Sequence, residues 1–189
     1  WFFDRSSEIN IENVKFTGGG DLGFFTKPLE GEEIFWNFRN CVWQKNYTWH
    51  GLCVGEGVSP TVTCVVEDSL FEVSPGAWGA FYARSPFDFT FRNCTFRVLN
   101  NRAVLSAGNG AGGTQPTGRL VVEDCTFLEG SGGDNNGWPG AIVLQQYDID
   151  LTVKRCYFGN PVSTVKHPVR HLFSQQPACY ATNMDTNGN

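Results

Sequence analysis

The chain has 189 residues, enough for one domain with a sizeable core, and is 17 % charged with a net charge of −5. That balance offers no attraction to nucleic acid or an anionic membrane surface, and no apolar run approaches the roughly 20 residues of a membrane-spanning helix. Twenty-two glycines and sixteen phenylalanines suit an all-β chain with many turns.

In chain order, the sequence opens on Trp1 with no signal-peptide pattern, as a processed product or part of something longer would. Residues 1–8 are expected to form an N-terminal edge or junction segment, with Trp1, Phe2 and Phe3 plugging an open core or buried against another subunit or a preceding segment of the chain. From Ile9 an eight-residue phrase begins, INIENVKF, and it recurs to the end of the chain. It returns as WNFRNCVW at Trp36, CVVEDSLF at Cys64, FTFRNCTF at Phe89, LVVEDCTF at Leu120 and LTVKRCYF at Leu151. The starts lie 27, 28, 25, 31 and 31 residues apart.

Each octet begins with strict apolar alternation, so positions 1 and 3 are expected to face inward and positions 2 and 4 outward on a strand. A second apolar run follows each octet: GFFT at Gly23, GLCV at Gly51, GAFY at Gly79, RAVLS at Arg102, GAIVL at Gly140 and RHLFS at Arg170. Units this short, without a 3.6-residue period, cannot bury an apolar face alone. Stacked as successive coils of a parallel solenoid, they can.

Stacking makes columns of equal positions. Position 4 reads Glu12, Arg39, Glu67, Arg92, Glu123 and Lys154, alternating in sign at every step. Such a column fixes register, because slipping by one coil puts like charges together. Position 5 (Asn13, Asn40, Asp68, Asn93, Asp124, Arg155) falls where the strand must turn, and Asn and Asp tolerate unusual backbone angles there. Position 8 (Phe16, Trp43, Phe71, Phe96, Phe127, Phe158) is expected to be an inward stack of rings. Cys41, Ser69, Cys94, Cys125 and Cys156 share position 6. Neighbouring coils hold Cβ atoms about 5 Å apart, beyond the ~3.8 Å of a relaxed disulfide, so this column reads as buried thiols filling space. A bridge involving Cys179 is left open.

On these columns the chain resembles the right-handed parallel β-helix, pectate-lyase-like superfamily over roughly residues 9–174. The resemblance implies an all-β, right-handed parallel β-helix (solenoid) of about six coils over residues 9–173, with a C-terminal tail or cap over 174–189. It implies little about activity, because that architecture serves polysaccharide lyases and hydrolases, tailspikes, adhesins and inert fibres.

No catalytic set emerges, and the reading leans away from an enzyme; an enzyme on this scaffold would be a polysaccharide lyase or glycoside hydrolase. Asp148 and Asp150 are spaced to share a face but lead into the last octet and read as solvated turn residues. His167, Arg170 and His171 read equally as a cationic pocket or an end cap. No Cys/His spacing indicates a metal site, the glycine runs lack a phosphate-binding pattern, and no cofactor is expected. Trp49, Trp78 and Trp138 stand just before the second strand of their repeats. They are the candidate glycan-stacking residues, against a plainer role of folding back over their own loops. Asn46 heads a loop glycosylation sequon.

The expectation is an extracellular structural module of a fibre, coat or appendage at a cell or virion surface, associating through its solenoid ends with copies of itself or neighbouring subunits. The alternative is a β-helix that binds or cleaves a polysaccharide.

Overall fold

The computed structural model describes residues 2–3, 5–17, 20–26, 31–44, 47–54, 62–73, 79–83, 86–98, 105–107, 117–128, 141–144, 149–159, 169–171 and 179–185. Among them there are strands and turns and no helix. Every strand pairing is parallel, within one 7-stranded and one 12-stranded sheet. The architecture is all-β, and it is compatible with a solenoid.

The strands fall into three rows. The first stacks Ser7–Glu12, Ile34–Arg39, Val62–Glu67, Phe87–Arg92, Gly118–Glu123 and the start of Ile149–Phe158. The second stacks Lys15–Thr17, Val42–Gln44, Leu70–Val73, Thr95–Val98, Thr126–Leu128 and the end of Ile149–Phe158. The third stacks Phe2–Phe3, Gly20–Thr26, Tyr47–Val54, Gly79–Ala83, Leu105–Ala107, Ile142–Leu144 and Val169–His171.

The octets meet in the register their spelling implies. Ile9 pairs with Trp36, Trp36 with Cys64, Cys64 with Phe89, Phe89 with Leu120, and Leu120 with Leu151. The first-row strands start two residues before the octet, which adds an inward column of Ile34, Val62, Phe87, Gly118 and Ile149. Gly118 is the small member because Phe87 fills its place: a Cβ there would lie 2.5 Å from the Phe87 carbonyl oxygen and 2.7 Å from its ring.

Above the first rung, inward side chains are closed off. Trp36, Phe38, Phe89, Phe91, Val122 and Val153 are each at most 1 % exposed. In the second row, rings follow one another from Phe16 to Phe158, with Trp43–Phe71 centroids 4.3 Å apart and their planes nearly parallel, and Phe127–Phe158 at 4.8 Å. Phe81 of the third row stacks on Phe89 of the first at 4.4 Å, joining the rows across the core.

Two segments do more than the sequence reading gave them. Phe2–Phe3 pairs with Phe25 and Thr26, one rung below the first octet in the third row. Cys179–Asp185 pairs with the last octet, Leu151 opposite Cys179 and Lys154 opposite Thr182, as a seventh rung of the first row. The strands of the third row do not align on the residues that open their apolar runs. Gly79 pairs with His50 rather than Gly51. The last strand begins at Val169, and Arg170 pairs with Val143 rather than Gly140. Glycines in this row are not a register mark, because the connections before them differ in length from one repeat to the next.

Candidate functional site

The outer face of the first row carries charge in columns. Position 4 is in register throughout, Glu12 opposite Arg39, Arg39 opposite Glu67, and on to Lys154. Arg92 bridges both neighbours, at 2.6 Å to Glu67 and 3.5 Å to Glu123, and Lys154 reaches Glu123 at 3.3 Å. Arg39 leans across the turn to Asp68 at 3.6 Å.

A second charged column precedes the octets, and the sequence reading missed it. Arg119 makes two bonds of 2.9 Å to Asp88, and Asp150 is in register with Arg119 on the other side. These bonds to Asp88 first, and more weakly the field of Asp150, raise the Arg119 pKa above its ordinary value. Asp150 is thus an exposed strand residue beside Arg119; it is solvated as expected, but it lies in a strand rather than a turn. The signal lay in the sign sequence Asp88, Arg119, Asp150 one residue before each octet.

At the turn between the first two rows, all six position-5 residues have positive φ: Asn13 59°, Asn40 49°, Asp68 51°, Asn93 50°, Asp124 54° and Arg155 51°. The bend keeps the rungs bonded, since each turn amide donates upward, as Asn93 N does to Glu123 O at 3.0 Å. Side chains repeat the pattern in steps. Asn40 Nδ2 donates to Asn13 Oδ1 at 2.6 Å, and Asn93 Nδ2 to Asp68 Oδ1 at 2.7 Å. Arg155 clasps Asp124 through two bonds of 2.6 and 2.7 Å, which hold that carboxyl below its ordinary pKa.

Beneath this bend lies the position-6 column. The thiols are more than filler. Cys94 Sγ donates at 3.3–3.4 Å toward the Arg92 and Val66 carbonyls, and Cys41, Cys125 and Cys156 repeat that geometry. Ser69 replaces the thiol with a hydroxyl that accepts from Cys41 N at 3.0 Å and donates to Glu67 O at 2.6 Å. The flanking Cys156 and Cys94 thiols, together with burial, push the Cys125 pKa upward, and burial raises Cys64 and Cys41. The Cys41, Cys64 and Cys125 thiols are therefore protonated at neutral pH and are poor nucleophiles.

A shallow groove of about 510 Å³ runs along the outside of the bend, lined by Asn40, Asp68, Asn93, Leu70, Thr95 and Arg97. Its asparagines are engaged in their ladder, Asp68 with Arg39, and Arg97 with Glu72 at 3.2 Å. Among the described residues no group of three or more His, Cys, Asp or Glu is placed to hold a metal ion, and no helix is long and apolar enough to cross a membrane.

Of the glycan-stacking candidates, Trp49 lies within the strand Tyr47–Val54 rather than in a loop ahead of it, and its side chain is outside the described set. Trp78, Trp138, the sequon residue Asn46, Asp148 and His167 lie outside the described residues. Arg170 and His171 form the last third-row strand.

Comparison with family models, with curated proteins and with solved structures found no match in any of the three.

Proposed function

We propose that the chain is a right-handed parallel β-helix of the pectate-lyase-like type, serving as a non-enzymatic structural module. In this reading it forms part of a fibre, coat or appendage at a cell or virion surface and meets its neighbours through its ends. The observation that carries it is the engagement of the outer charges. Glu67, Arg92, Glu123 and Lys154 form one chain of ion pairs, Asp88 and Arg119 are held in another with Asp150 alongside, and Asp124 and Arg155 close a third. The Arg155 guanidinium holds the Asp124 carboxyl below its ordinary pKa, so that group cannot lend a proton as a general acid near neutral pH. Individually such exposed pairs contribute only a few tenths of a kcal/mol; their larger effect is to fix register.

The test is turnover. Acidic and neutral polysaccharides incubated with the protein should yield neither new reducing ends nor unsaturated products. Product formation lost on Asp150→Asn or Asp148→Asn would overturn the structural reading. The groove beside the asparagine ladder favours one second reading, a module that binds an extended glycan without cleaving it. Saturable glycan binding, weakened by Arg97→Ala with the fold intact, would select that reading.

A further inference from the structure

We propose that Phe35, with Asn37 and Asn10 beside it, is a binding platform for one ring of an uncharged saccharide on the outer face of the first row. The site lies at the far edge of that row from the bend and its groove, and it stands apart from both readings above.

The column one residue before the octets reads Glu8, Phe35, Thr63, Asp88, Arg119 and Asp150. Phe35 is its only apolar member, and 42 % of that residue is exposed. A single exposed ring is ordinary on a protein surface. Its neighbours give this one a chemistry.

Asn37 Nδ2 donates to Asn10 Oδ1 at 2.9 Å, and Asn10 Nδ2 donates to Glu8 Oε1 at 3.1 Å. This chain of bonds fixes which way both amides face. Each amide uses one N–H in it and keeps a second N–H, together with an oxygen that can still accept. Glu8, Asn10, Phe35 and Asn37 are all exposed, so these groups face solvent. A partner that both gives and accepts hydrogen bonds matches them; a carboxylate only accepts and an ammonium only donates. Hydroxyls do both.

The spacing fits one sugar ring. Alternate residues of a strand lie ~6.6 Å apart and neighbouring rungs ~4.8 Å apart, so Phe35 and the amide pair span about one pyranose. The C–H bonds on one face of a pyranose carry slight positive charge and settle on the negative face of an aromatic ring. The hydroxyls at its rim then reach Asn37 and Asn10.

Charge narrows the ligand further. Glu8 and Glu12 flank Asn10 on the first rung, both exposed, while Arg39 leans away to Asp68 at 3.6 Å. An acidic saccharide would meet those two carboxylates, so the uncharged one is favoured. A protein partner fits less well. Stable protein contacts cover about 800 Å² a side around an apolar centre, and Phe35 is bordered by Glu8, Asn37 and Thr63.

The experiment titrates the isotope-labelled chain with cellotetraose, mannotetraose and, as the acidic comparison, tetragalacturonate. Nuclear magnetic resonance follows the side-chain amides of Asn10 and Asn37. At least one neutral probe should shift both amides saturably, with a Kd of about 1 mM, and tetragalacturonate should bind at least about tenfold more weakly. Phe35→Ala should weaken binding at least about tenfold and Phe35→Trp should retain it, with circular dichroism unchanged because the side chain is exposed. Asn37→Ala should weaken it too, whereas Arg97→Ala, in the bend groove, should leave it unchanged.

No shift from either neutral probe, binding that survives Phe35→Ala, or tighter binding of tetragalacturonate would each overturn the proposal. So would self-association lost in Phe35→Ala without any response to sugar, which would assign the patch to a protein contact. Saturable binding abolished by Arg97→Ala and spared by Phe35→Ala would belong to the groove and overturn this site alone. Cleavage of a probe would sink the non-enzymatic reading; the Phe35 variants would still decide this site.

Discussion

The bend between the first and second rows and the connections to the third row are built on opposite terms. Between the first two rows there are two residues in every separate pair of strands, one of them at positive φ and the next turned inward. From the second row to the third the connection runs from two to thirteen residues, and from the third back to the first from three to ten. A fixed two-residue bend transmits register, so one row's columns predict the other's. A variable connection transmits none, and the third row must find its register by packing, as Phe81 does on Phe89.

The sharpest way to break this contrast is a pair of insertions. One alanine between Asn93 and Cys94 turns the following side chains to the wrong face and should abolish cooperative urea unfolding. One glycine between Gly112 and Gly113, in the longest of the connections back to the first row, should stay within about 0.5 kcal/mol of the parent. Equal losses would mean that the bend holds no special control of register.

Phe96→Ala comes next. Its ring is fully buried between Phe71 and Phe127, and removal should cost about 3–5 kcal/mol in chemical denaturation. Ser69→Ala should cost about 1–3 kcal/mol, because the Cys41 amide loses its acceptor, although the Glu67 carbonyl keeps the Asn40 amide. Ser69→Cys, copying its column neighbours, should cost less.

Asn93→Ala places in the left-handed region a residue without asparagine's tolerance of it and removes the bond to Asp68, for about 1–2 kcal/mol. Asn93→Gly keeps the bend and should lose less; a reversed order would show that the side-chain ladder outweighs the backbone.

The smallest effect is electrostatic. Arg155 lowers the Asp124 pKa in the folded state, so the stabilisation is present above the ordinary carboxylate pKa of about 4 and is lost as pH falls through the folded value. Asp124→Asn should therefore be slightly less stable than the parent at neutral pH and indistinguishable from it in strong acid.

Much was legible in the sequence because the octet is local. Alternation at positions 1 to 4, a left-handed residue at position 5 and a ring at position 8 each follow from short-range geometry, and repetition made each of them a column. The seventh rung escaped notice because it lacks an aromatic at position 8 and a charge at position 4; only Asn183, 28 residues after Arg155, marked it. The second charge column escaped because it lies outside the octet. The thiols' carbonyl partners were not legible at all, since one lies two residues back and the other 28 to 34 residues away.

By itself, then, the sequence determined the strands of the first two rows, their shared bend and their register, since each is set by residue spacing along one short segment. Only the tertiary structure decided the register of the third row, the leaning of Arg39 to Asp68, the fit of Gly118 against Phe87 and the recruitment of residues 179–185 as a rung. Each of these depends on distances between segments whose separation the chain leaves variable, and close packing, unlike alternation, has no period to read.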